Sequence, residues 1–437
     1  MRRLGGGREA PERGISRRRI LALGAATLPA GLLWARRGAA QSFSEAPLAP
    51  EDARGDMEHR FWKDLLDDFP LEPGEHHFDH ASVGIPPIQT LTRMDRVARN
   101  VAGHPAAPAE EYVESARKRV ASFVGADPDE IALTRGATEA MSLIADALPL
   151  EVGARVALSE HEAPSTFTPW LAAAREGRVQ VRFFSPLPAT DDLPRRIRKA
   201  ADGAAAVVLS HVLPTSGDVL PLAKIVHEAQ RRGTLVIVDG SYGAGIRPLD
   251  LHDLGVDVYV ASGHGWLLGP YGNAFAYVRR DLLGRLRPRF RRAVRADAFN
   301  EPAPAAGIES ASRLELEPPS PSEAAGLTAS LEWLDGLGVE VVREYATALA
   351  TQLREAIAGI DGIELLSTAK SAARVPIVTF RVQRRPSTQV ADWLLERMRM
   401  RVHRVVAVPW NAVRVSTHLV NRPADIEWLA EGIRTLA

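Results

Sequence analysis

The chain of 437 residues contains no cysteine. That excludes disulfides, thiolate metal sites and any cysteine nucleophile. Net charge is missing too: 54 Lys and Arg balance 54 Asp and Glu. This gives no reason to expect nucleic acid or an anionic surface as a partner. Lysine is scarce, represented only by Lys63, Lys118, Lys199, Lys224 and Lys370. Long apolar runs are lacking as well. The stretch from Ile20 to Trp34 is about fifteen residues and is broken by Pro29, too short for a stable membrane span. With 46% hydrophobic and 25% charged residues, what remains has the composition of a globular protein.

The apolar run has a second use. In "SRRRILALGAATLPAGLLWARRGAAQS" it follows Arg17-Arg18-Arg19 and precedes the small residues Gly38, Ala39 and Ala40. This reads as a twin-arginine signal over residues 1–40, cleaved near Ala40, and predicts export to the periplasm or the exterior. That route carries folded proteins, often with a cofactor already in place. Residues 41–85 read as an N-terminal leader segment, 86–301 as a large domain, 302–321 as a Pro-rich linker and 322–437 as a small C-terminal domain.

Within the large domain, short β-branched runs at 155–159, 179–184, 205–210, 234–239, 257–262 and 274–278 alternate with helical periodicity. The pattern predicts an α/β fold with a doubly wound, mostly parallel sheet covered on both faces, and a smaller α+β domain at the C-terminus. In such sheets ligands collect where the carboxyl ends of strands meet the following loops. Three of those loops carry polar residues.

"TRGAT" ends at Thr138 on the first turn of a helix; free N–H groups there suit a phosphate or simply await a cap. "VIVDGSYGAG" places Asp239 directly after an apolar strand and Tyr242 three residues on. A carboxylate there either pairs with a protonated ring nitrogen, raising that ring's pKa, or caps the turn. "ASGHGWLLGP" offers Ser262 and His264 after another strand.

Taken in this order, with "FDHASVG", "SHVLPTSGDVLPL" and "VRVSTHLVN", the motifs resemble those of fold-type I pyridoxal-phosphate enzymes. More narrowly, residues 60–437 resemble the class V aminotransferases of the isopenicillin N epimerase type. The resemblance implies that Gly136, Ala137 and Thr138 cradle the cofactor phosphate with Ser262 and His264, and that Asp239 bonds the ring nitrogen. Tyr242 then meets the ring hydroxyl, and Arg414 clamps the carboxylate of a small amino or keto acid. It also implies a homodimer, in which Asn273 and Ser320 reach a neighbouring protomer's phosphate.

Two departures stand out. Ala163 occupies the place of the aromatic that stacks on the ring, with His161 nearby as a stand-in. Gly265 occupies the place of the Schiff-base lysine. A glycine neither links the cofactor covalently nor moves protons. The expectation is therefore pyridoxal 5'-phosphate or pyridoxamine 5'-phosphate held noncovalently, with His264 or Tyr242 taking over as base. The alternatives are a catalytically inactive protein that binds a ligand or partner on the same fold, or a bare scaffold. Cysteine desulfuration, another activity of that family, runs through an enzyme persulfide and is hard to sustain in a chain without cysteine.

Overall fold

A computed structural model describes residues 65–104, 109–288, 310–317, 319–367 and 375–437. The twin-arginine segment and much of the leader and linker lie outside the described residues. The first described elements are a two-residue strand, β1 (His76–His77), and two helices, α1 (Ile88–Gly103) and α2 (Glu110–Val124). Alternation follows through β2 (Ile131–Thr134), α3 (Ala137–Ala147), β3 (Ala154–Ser159), α4 (Pro164–Arg175), β4 (Val179–Phe184) and α5 (Leu193–Ala200). It continues with β5 (Ala206–Ser210), α6 (Leu222–Gln230), β6 (Leu235–Asp239), α7 (Leu251–Leu254), β7 (Val258–Ser262), β8 (Ala274–Val278) and α8 (Arg280–Leu283). The C-terminal part comprises α9 (Pro321–Leu337), α10 (Val339–Ile357), β9 (Ile363–Leu365), β10 (Ile377–Val382) and α11 (Ser387–Met398). It ends with β11 (Met400–Arg401), β12 (His403–Val405), β13 (Ala412–Ser416) and α12 (Pro423–Leu436).

Seven strands form one sheet in the order β2-β8-β7-β6-β5-β3-β4, and only β8 runs antiparallel to the rest. The exception has a physical cause. The turn between β7 and β8 holds no crossover helix, so the chain returns beside β7 in the opposite direction. Both faces of the sheet are covered, and β5 and β8 are buried at every residue. Side chains alternate between the two cores. Leu133, Leu209, Val238 and Phe275 enter one, whereas Ala132, Val208, Ile237 and Ala276 enter the other.

Helix α9 carries apolar residues all round and is buried along most of its length, as expected for a helix wedged between others. It packs on α1 and α2. Gly338 then turns the chain into α10 with φ 86°, a left-handed conformation that glycine adopts without strain. The smaller sheet is antiparallel, in the order β12-β13-β10-β9. Residues 76–85, read from sequence as part of the leader, are built into this region. Strand β1 pairs with β11, and the Ser416 N–H donates to the Phe78 carbonyl at 2.7 Å. Among the described residues no helix is long and apolar enough to cross a membrane.

Candidate functional site

Five of the six parallel strands end on a polar residue at one edge of the sheet: Thr134, Ser159, Ser210, Asp239 and Ser262. The pattern follows from the sheet itself, since strand interiors are apolar on both faces and only the edge reaches a polar environment.

The loop after β2 leads into α3, whose first intrahelical bond is Ala140 N–H to Gly136 C=O at 3.0 Å. The helix starts without a side-chain cap. A methyl group added at Gly136 would meet nothing within 4 Å, and Thr138 is exposed. The arrangement is an open helix N-terminus with free N–H groups, which favours an anion.

Asp239 ends β6 and is 2% exposed. Its carboxylate accepts the Thr166 hydroxyl on one oxygen and the Ser241 N–H at 2.9 Å on the other. A carboxylate accepts up to about four hydrogen bonds, so capacity remains for a further donor such as a protonated ring nitrogen. Sequence reasoning missed Thr166, and it missed Glu162 beside it. Glu162 is fully buried and accepts the Ser210 N–H at 2.9 Å and the Ser210 hydroxyl at 2.5 Å. Burial pushes its pKa up to about 7, and the negative charge of Asp239 adds to the rise against the Ser210 and Ser159 hydrogen bonds. The only signal for either residue was a polar segment following a strand.

Strand β7 ends at Ser262, whose hydroxyl lies 3.3 Å from that of Ser241, so the loops after β6 and β7 meet. His264 is half-buried, its Nδ1 is buried without a partner, and its ring lies 4.8 Å from that of Tyr271. Burial lowers its pKa, which keeps the imidazole neutral. Gly265 follows with φ 70°, and a methyl group there would sit 3.0 Å from the Ala81 carbonyl oxygen. Across the contact, a methyl at Gly84 would overlap the Gly265 carbonyl. Two glycines thus let the 79–84 segment lie directly on the turn.

The chain matches the family model described as aminotransferase class-V over residues 88–429. It belongs to the class V aminotransferase family. Isopenicillin N epimerase from Amycolatopsis lactamdurans is 30% identical over 394 residues, covering 86% of this chain and 98% of that protein. The Streptomyces clavuligerus protein of the same name is 28% identical over 86% of this chain and 98% of its own length. Among solved structures, an apo cysteine desulfurase from Thermococcus onnurineus NA1 superposes with a TM-score of 0.76 at 22% identity, covering 86% of this chain and 97% of that one. A lysine-to-alanine variant of C-DES, with glycine covalently linked to its pyridoxal phosphate, gives 0.77 at 24% identity, covering 85% and 99%. These structures share the fold-type I architecture.

The remaining class V positions differ in how well they serve the roles expected of them. Tyr242 lies 3.5 Å from the Ser82 hydroxyl, and its ring covers the Arg414 guanidinium at 4.9 Å. Arg414 is only 1% exposed. It donates through Nη1 to the Pro214 carbonyl at 2.5 Å and through Nη2 to Asp79 at 3.1 Å and to Ser82. Each bidentate edge of a guanidinium includes Nη2, so neither edge is free for the expected carboxylate clamp. Asn273, expected to reach a neighbouring protomer, is buried and donates to the Glu323 carbonyl at 3.1 Å. It ties the turn to α9. Ser320 is exposed and caps α9. His161, the stand-in for the stacking aromatic, is held by Thr215 at 2.8 Å and by the Trp410 ring at 5.0 Å. The three described lysines, Lys118, Lys199 and Lys224, are all exposed on helices.

Proposed function

We propose that the protein binds pyridoxal phosphate, or its amine form, without a covalent link and uses it on an amino or keto acid. One observation carries this reading: an Asp239 with hydrogen-bonding capacity to spare stands beside a turn whose Gly265 conformation disfavours any side chain. When bound, the cofactor supplies an electron sink for bonds at the α-carbon. Gly136, Ala137 and Thr138 hold its phosphate through their N–H groups, assisted by Ser262. Asp239 keeps the ring nitrogen protonated by charge pairing. Tyr242 meets the ring hydroxyl.

His264 is the residue best suited to move a proton, because its imidazole is neutral and Nδ1 has no other engagement. The C-DES variant supports the principle, since that protein, with a lysine replaced by alanine, holds pyridoxal phosphate covalently linked to glycine. A second reading, an inactive binding protein on the same fold, draws support from the occupied guanidinium of Arg414 and from Ala163 at the stacking position. Export by the twin-arginine route and assembly as a homodimer belong to the same proposal.

The test is calorimetric titration of the mature protein and its Asp239→Ala variant with pyridoxal phosphate and pyridoxamine phosphate. Saturable binding to the wild type and none to the variant is expected. Equal affinity in both would remove Asp239, and with it this reading.

A further inference from the structure

The charges that cancel over the whole chain do not cancel everywhere. At the β4 edge of the large sheet, a basin of about 860 Å³ opens beside α5. Arg155 and Arg182 reach it from β3 and β4, and Arg195 and Lys199 from α5. None of these four has an ion-pair partner among the described residues. Three more guanidiniums line the basin and do have one. Arg196 meets Asp192 at 3.3 Å, Arg198 meets Glu228 at 3.4 Å, and Arg232 meets Asp202. Seven cations against three carboxylates leave four positive charges. Part of this lining is held by the backbone. Arg155 donates through Nε to the Gly203 carbonyl at 3.1 Å, and a methyl group added at Gly203 would overlap its Nη2. Arg196 donates to the carbonyl of Leu187 at 3.2 Å and to that of Pro188. Neutral carbonyls fix these guanidiniums in place without cancelling their charge.

From this arrangement we propose that the basin is a second ligand site, whose ligand is a soluble chain of linked phosphates, an inorganic polyphosphate. Like charges gathered in one place repel, and a multiply charged anion relieves several of those repulsions at once. The planar donor fork of a guanidinium matches the oxygens of a phosphate group. The cations stand on three elements and, with Arg232, on the loop after α6, so a chain of phosphates reaches more of them than a single phosphate does. An acidic peptide would present its carboxylates on alternating sides of an extended backbone and bring few of them to one basin. The lining holds no aromatic ring on which a nucleobase could stack, and Ala200 is its one apolar residue, so a lipid tail finds no anchor. Protection of an edge strand accounts for Arg182 but not for the cations of α5. None of the residues assigned to the cofactor lines this basin, and the proposal stands apart from the cofactor reading.

The test titrates the protein with tripolyphosphate and with orthophosphate by calorimetry. Tripolyphosphate should bind saturably and at least about tenfold more tightly than orthophosphate, because it engages more of the guanidiniums. A triple variant, Arg182→Gln with Arg195→Gln and Lys199→Gln, removes three exposed charges and should weaken tripolyphosphate binding at least about tenfold. Arg384→Gln with Arg397→Gln and Arg404→Gln removes as much exposed charge from the small domain and should bind as the wild type does. Thr138→Glu, which burdens the phosphate end of the cofactor site, should also keep the wild-type affinity for tripolyphosphate. Absence of saturable binding, or equal affinity for orthophosphate, overturns the proposal whether or not the variants fold. So does unchanged affinity in the basin variant, or an equal loss in the small-domain variant or in Thr138→Glu. Basin-dependent capture by phosphatidylglycerol vesicles in place of tripolyphosphate overturns it as well.

Discussion

At the residue scale, Gly265 matters most. A missing lysine is visible in any reading of "ASGHGWLLGP", but sequence does not say whether the position still has room for one. The left-handed φ and the Ala81 carbonyl 3.0 Å from an added methyl answer that the turn is built for glycine. Gly265→Ala should therefore destabilise the protein by about 1–2 kcal/mol, read from denaturant midpoints. An unchanged midpoint would mean that the backbone relaxes and the position tolerates a side chain. Simple restoration of lysine is expected to meet the same strain.

Glu162 gives a second prediction at this scale, with a definite sign. Its folded pKa of about 7 lies above the ordinary 4.5, so the folded state holds the proton more tightly than the unfolded state. The resulting stabilisation is fully present below pH 4.5 and is lost as pH rises to about 7, a change of about 3 kcal/mol. Buried neutral histidines such as His211 and His418, pushed down to about 3, act oppositely, losing stability as pH falls below 6.5. Comparing wild type with Glu162→Gln cancels the histidine contribution. The variant should gain on the wild type between pH 4.5 and 7 in urea unfolding, and parallel pH profiles would place the proton elsewhere. Asp239 was legible because a charge directly after an apolar strand is costly unless it is used. Glu162, Thr166 and Asp79 were not singled out. Each acts through partners far away in sequence, and a polar residue in a loop gives no sign of who those partners are.

At the scale of elements, α3 offers a clean separation of stability from binding. Its N-terminus has no side-chain cap, and Thr138 is exposed on the first turn. Thr138→Glu adds a negative charge that the helix dipole should tolerate or favour, by about 0.3–1 kcal/mol. The same charge should weaken pyridoxal phosphate binding at least about tenfold, because it competes for the N–H groups offered to phosphate. Unchanged affinity would remove the phosphate from this helix end. The strands were readable because a parallel sheet buried on both faces demands continuous apolar runs, and β4 and β8 have the sequence-predicted bounds. Residues 76–85 were harder. Their Gly and Pro content says loop, but their role comes from pairing with β11 and from resting on the Gly265 turn, contacts that span more than 180 residues.

For the whole molecule, the seven-stranded order and the polar strand ends explain why a site forms at one edge of the sheet. Family membership agrees with that geometry. The architecture was legible from alternating periodicity, since few folds accommodate so many buried strands separated by helices. The substrate end was not, because Arg414 looks like a free clamp until Asp79 is seen on it. The central claim is a cofactor pocket without a covalent link. The most direct measurement equilibrates the protein with pyridoxal phosphate, reduces it with borohydride, and counts cofactor per chain on native and then denaturing gel filtration. About one cofactor per chain on the native column and none after denaturation is the predicted result, since only a covalent link survives unfolding. Cofactor carried through denaturation would reveal a substitute lysine, and its absence from the native column would leave the pocket without its ligand; either contradicts the claim.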